Sequence, residues 1–213
     1  MFKKNIFYLT SLFVFFLSKT SEGKQIKKAK PNIPVTKRHA CFLPKNPLCQ
    51  KILTLNPNLD KDYALNLSNA FHRVAKKFQI PKDLLVSIAK QESNFRLDAV
   101  REVSGLILDE DGYKQAKVGS DFCMMQINAL NILRMKFDAK KLTEDVTYCL
   151  EAGAKILTWA KKYKDKDPEW WTRYNAVSDI HRQTYKKHVL KHWRKLDPQV
   201  DNQLTCSVDV TTP

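Results

Sequence analysis

The chain has 213 residues, 43% hydrophobic, 28% charged and 10% aromatic, with 5 Gly and 9 Pro. Collagen-like, low-complexity and wholly disordered chains are excluded, since each needs Gly and Pro in excess or too little apolar mass for a core. A formal net charge of +15 favours an anionic partner without choosing among nucleic acid, lipid headgroups and an acidic wall polymer.

Lys3 and Lys4 precede an apolar run over 6–17 broken only by Thr10 and Ser11, and small residues follow at Ser18, Thr20, Ser21 and Gly23. That is the pattern of a secretory signal peptide over 1–23, too short for a comfortable permanent anchor. It predicts a periplasmic or secreted protein with no stable membrane span after cleavage; without an Ala-x-Ala site, an uncleaved anchor stays open. Lys3, Lys4 and Lys19 against Glu22 leave with it, so the mature charge is +13. Export argues against nucleic acid, as does the run Lys161, Lys162, Lys164, Lys166, which lacks interleaved aromatic rings.

Residues 24–53 are basic and Pro-bearing without helical periodicity, and read as a flexible extension. The folded domain is expected over 54–196, with a loose tail over 197–213. Its first helix is predicted over 63–78, where Leu67, Ala70, Phe71, Val74 and Phe78 recur at helical spacing. Pro81 suits the first turn of a second helix running toward Phe95. Over 100–122 the helical period is lost, and Asp111-Gly112 marks a small β-hairpin or structured loop. Helices follow over 124–135, 145–163 and 183–196, with Trp170, Trp171 and Tyr174 forming an apolar segment between the last two. Strand–helix alternation is absent, so the fold class is mainly α with a small β element.

The five cysteines, Cys41, Cys49, Cys123, Cys149 and Cys206, allow two bridges in many combinations. Cys41 with Cys49 and Cys123 with Cys149 is the preferred pairing, the second tying two predicted helices together. No metal or other cofactor is expected. No Cys-x-x-Cys pair occurs, His188 and His192 lack an acidic third ligand, and Val118 stands where a calcium loop around Asp109, Glu110 and Asp111 needs a Glu.

One residue breaks its pattern. At about 100° per residue, Leu85, Ile88, Glu92 and Phe95 share a stripe, so a carboxyl interrupts an apolar helix face. Such a group either finds a partner and stays structural, or keeps a proton beside an apolar wall, as general acid catalysis requires. Periodicity alone leaves both open.

Glu92-Ser93 is followed by the hairpin segment, then by Met124-Met125-Gln126-Ile127-Asn128, then by Tyr174-Asn175. This order resembles the lysozyme-like soluble lytic transglycosylases, which carry Glu-Ser, Gly-Leu-Met-Gln and Ala-Tyr-Asn, and within them the small specialised members that accompany secretion or conjugation machines. The resemblance spans about 65–189. It implies an α+β lysozyme-like fold with the hairpin beside an active-site cleft, peptidoglycan glycan strands as substrate, and an envelope-spanning complex as a partner. It also implies Glu92 as sole catalytic acid and base, with Ser93, Met125, Gln126, Tyr174 and Asn175 as substrate-binding residues and Tyr174 approaching Glu92. No second carboxylate is needed where the substrate's acetamido group stabilises the oxocarbenium-like centre. The chain departs from the family at Cys123, in the place of Gly, at Arg173, in the place of Ala, and at Val177-Ser178, where a Gly is missing. A hydrolytic muramidase, with Asp109, Asp111 or Asp121 activating water, and a non-catalytic wall-binding assembly protein are the competing readings.

Overall fold

The computed structural model describes residues 46–109, 112–175 and 178–201, and for 104–118 the backbone alone. The signal peptide, residues 24–45 of the basic extension, residues 202–213, Asp111 of the expected turn, the acidic cluster's side chains and Val177 lie outside what is described. Among the described residues there are two compact units: the hairpin Glu102–Gly119, and a helical body built from the residues before and after it.

The helical body begins with α1 (Pro47–Leu55), which buries Leu48, Cys49, Ile52 and Leu55. The sequence reading runs the extension through Leu53; Pro47 reads there as a breaker but occupies a first-turn position, where its missing N–H costs nothing, and the Asn46 side chain accepts from the Cys49 N–H. α2 (Lys61–Phe78) is capped by Asp60, turns Leu67, Ala70, Phe71 and Val74 inward and ends at the expected Phe78, closed by left-handed Gln79. α3 (Lys82–Ser93) buries every residue from Leu84 to Ala89, so it is a central helix rather than a surface one.

β1 (Val100–Asp109) and β2 (Gly112–Phe122) are the expected hairpin, and a short β3 (Ile127–Asn128) completes a sheet in the order β1-β2-β3. β3 pairs antiparallel with the end of β2, Phe122 opposite Ile127 and Asp121 opposite Asn128. The single helix expected over 124–135 is thereby shortened to α4 (Ala129–Met135), because the preceding residues turn tightly, with Cys123 at φ 61° and Gln126 at φ 49°. α5 (Ala139–Glu144) precedes α6 (Val146–Lys161), whose Leu150, Ala154, Ile156, Leu157 and Ala160 pack into the core. A short 3-10 helix (Trp170–Tyr174) leads to α7 (Asp179–Leu196), one turn longer than its periodicity suggests. α2 packs on α6 and α3 on α7.

A disulfide joins Cys123 to Cys149 on α6, with the Cα atoms 6.2 Å apart and a separation of 26 in sequence. Cys49 is buried, and its expected partner Cys41 lies outside the described residues. Closing a loop of this size removes unfolded-state entropy worth about 3 kcal/mol. Cys149→Ser is therefore expected to lower the thermal midpoint by roughly 6 to 12 °C, and a reducing agent should lower the parent's by a similar amount; an unchanged midpoint in both would show that the bridge contributes nothing.

Candidate active site

Glu92 sits on the last turn of α3, next to the terminal Ser93, and the chain reverses immediately afterwards through Asn94 and Phe95, both left-handed at φ 58° and 68°. A bulky residue holds that conformation only where its surroundings enforce it. Here the fully buried Phe95 ring packs edge-on against Phe71 at 6.3 Å, and its carbonyl accepts from the Tyr63 hydroxyl at 3.0 Å. The buried Ser93 Oγ donates to the Met124 carbonyl at 3.0 Å and accepts from the Arg96 N–H at 3.1 Å, riveting the end of α3 to the turn before β3.

On this frame Glu92 is half-buried. Burial pushes its carboxyl from 4.5 up to about 7. The carbonyl end of α3 also disfavours an anion there. Opposing this, the Tyr185 hydroxyl on α7 donates to Oε1 at 2.8 Å, and Arg101 and Asn175 favour the charged form more weakly. The result is a carboxyl that exchanges its proton near neutrality, as a group that both gives and takes protons needs.

A second carboxylate stands nearby but is committed. Asp121 is 6% exposed and accepts both Nη2 and Nε of Arg101 on one oxygen, at 2.5 and 3.1 Å. It acts on Glu92 through charge, adding slightly to the upward shift.

The other expected site residues divide. Asn175 is exposed beside Glu92, and half-buried Gln126 folds its amide onto the Cys123 carbonyl at 2.9 Å. Met125, expected along the sugar subsites, is fully buried, and it is its carbonyl that matters, accepting from the Tyr174 hydroxyl at 2.6 Å. Tyr174 therefore spends its proton on the backbone and reaches Glu92 only through charge; the phenol in contact with Glu92 is Tyr185. Sequence reasoning missed Tyr185 because it shares a helical stripe with Val189 and Trp193 and reads as core, which its ring is. The available signal was the one that exposed Glu92, a polar tip on an apolar stripe one helix away.

The departures from the family motifs also have physical accounts. The left-handed φ at Cys123 is what a Gly supplies without strain, and the bridge to Cys149 holds the cysteine in it. Arg173 lays its guanidinium over the Tyr163 ring at 4.5 Å and donates to Asp167 at 3.0 Å, contacts an alanine lacks. Behind Met125, α6 offers Gly153, where an added Cβ meets Met125 Cε at 2.5 Å and Cγ at 3.0 Å. Gly153→Ala is thus expected to lower the denaturation midpoint even though alanine favours helix, overpacking costing about 1 to 3 kcal/mol against about 1 gained. A raised midpoint would mean that Met125 yields freely.

A concavity of about 390 Å³ lined by Asn46, Ser68, His72, Arg73 and Lys82 lies at the opposite end of α3 from Glu92. Among the described residues no three His, Cys, Asp or Glu side chains gather to hold a metal ion.

A mainly helical body with a small antiparallel sheet, and a half-buried glutamate closing its central helix, defines a lysozyme-like protein of the α+β class. The chain belongs to the Transglycosylase SLT domain family, whose model matches residues 69–193, more than half of its length. Members are lytic transglycosylases that act on peptidoglycan, outside the cytoplasm. No curated protein and no solved structure matches the chain. No helix among the described residues is long and apolar enough to cross a membrane.

Proposed function

We propose that the protein is a peptidoglycan lytic transglycosylase in which Glu92 alone serves as acid and base. Protonated Glu92 gives its proton to the glycosidic oxygen between N-acetylmuramic acid and N-acetylglucosamine as the bond from C1 breaks. The carboxylate then takes the proton of the muramic C6 hydroxyl as O6 closes on C1, leaving a 1,6-anhydro end and restoring the acid without water. Between these steps the Tyr185 hydroxyl stabilises the carboxylate through its 2.8 Å hydrogen bond. Gln126 and Asn175 contact the sugars, while Ser93, Met125 and Tyr174 hold the turn that faces them.

What carries this reading is the placement of the Glu92 carboxyl, bonded to the Tyr185 hydroxyl at 2.8 Å and enclosed enough that burial pushes it up to about 7. The state of Asp121 favours one carboxylate over two, since a buried acid held by a guanidinium is poorly free to activate water. The basic chain is exported behind its signal peptide, and an envelope-spanning machine is the partner that its sequence resemblance implies.

The test is the mass of the products that purified protein releases from cell-wall sacculi. Anhydro muropeptides support transglycosylation; products heavier by one water, with reducing muramic ends, assign a hydrolase instead.

A further inference from the structure

His188, Lys191, His192 and Lys195 follow one another at i, i+3, i+4 and i+7 on α7 and so occupy one face of it. Lys90 joins them from α3, which packs against α7. Two residues from Glu92 means about 160° around the axis of α3, so Lys90 points away from the catalytic carboxyl. The charges that bear on His192 are all positive, from Lys90, Lys195, Lys191 and His188. Together with burial they hold its pKa down to about 4, and Lys90 is lowered by burial and by Lys195. The Nδ1 of His192 is shut from solvent without a hydrogen-bond partner. Elsewhere on the body several basic side chains have acidic partners: Lys51 with Asp83, Lys77 with Glu151, Arg182 with Asp167, Lys186 with Glu169. A self-repelling stripe is stabilised most by an anion laid along it.

We propose that this stripe is an exosite for the carboxylates of the peptide stems that hang from peptidoglycan strands, holding the wall while the bond is cut elsewhere. It rests on the peptidoglycan reading above and adds to it the part of the substrate that the glycan chemistry does not use. Stems repeat along each strand, so several weak carboxylate contacts form together. Nucleic acid fits less well, because the exposed aromatic rings among the described residues, Trp159 near the end of α6 and Tyr163 just beyond it, are not along the stripe.

The experiment measures binding of the mature chain to intact sacculi and to the same sacculi stripped of stems by an amidase, at low salt. A variant carrying Lys90→Gln, Lys191→Gln and Lys195→Gln is compared with one carrying Lys162→Gln, Lys164→Gln and Lys166→Gln, which changes net charge equally. The double variant Lys191→Gln, Lys195→Gln guards against an effect of Lys90 on folding, since Lys90 also bonds Asn94. The parent should hold intact sacculi about ten-fold more tightly than stripped ones, the combined effect of several individually weak surface ion pairs. The stripe variants should lose most of that preference and the control should keep it. Equal losses in stripe and control, or a parent indifferent to the stems, overturns the proposal; the second result leaves an acidic protein as the occupant. Because binding is read without turnover, a chain that prefers stems but releases no anhydro product sinks the catalytic reading and not this one.

Discussion

Glu92→Gln is expected to release anhydro products from sacculi about a thousand-fold more slowly than the parent, within the range that one positioned acid–base group contributes. The amide keeps the shape of the carboxyl but has no proton to give and cannot take one up. The fold should not suffer. Native Glu92 keeps its proton up to about pH 7, whereas the unfolded chain releases it near 4.5. Between those values the native state holds more protons, so stability falls as pH rises through the interval and stays lower above it. Glutamine lacks this liability. The variant is therefore expected to be more stable than the parent at pH 8, on the order of 2 kcal/mol by urea denaturation, and about equal at pH 4. A variant that cleaves normally removes Glu92 from the chemistry; one destabilised at pH 8 shows that its carboxylate is better solvated than its burial implies.

Tyr185→Phe should have the next largest effect. The ring packs against Trp171 at 6.4 Å between centroids, and phenylalanine keeps it, so stability should change little. What is lost is the donor to Glu92 Oε1. A hydrogen bond to a charged acceptor is worth about 1.5 to 3 kcal/mol, so turnover should fall roughly 10- to 100-fold with KM nearly unchanged. The Glu92 pKa should also move upward, because the bond favours the charged form, and the alkaline limb of the rate profile should follow it. A fall in rate with an unmoved limb would show that Tyr185 acts on packing alone.

The long helices were legible because each carries enough turns for its apolar period to show, as the stripe of Leu67, Ala70, Phe71 and Val74 does in α2. α1 and α5 were missed: nine residues behind a proline, and six residues burying only Leu142, hold too few turns to reveal a period. β3 was read as helix because its form comes from the partners Asp121 and Phe122, not from its own residues. At the site, Glu92 stood out as a polar group on an apolar stripe, whereas the left-handed conformation of Cys123 was not expected of a cysteine in a glycine position. The Arg101–Asp121 pair and the hydroxyl of Tyr185 depend on contacts across 20 and 93 residues, which no local spacing encodes. Met125 was expected along the sugar subsites and Tyr174 near Glu92; the Met125 side chain packs in the core, and the Tyr174 hydroxyl donates to its carbonyl while sensing the charge of Glu92.

The measurement closest to the central claim is a direct titration of the Glu92 carboxyl, by carbon NMR of glutamate-labelled protein with Glu92→Gln identifying the resonance. A midpoint near 7 is the predicted result. A midpoint near 4.5 would mean that the carboxyl is ionised at neutral pH, with no proton to lend to a leaving oxygen.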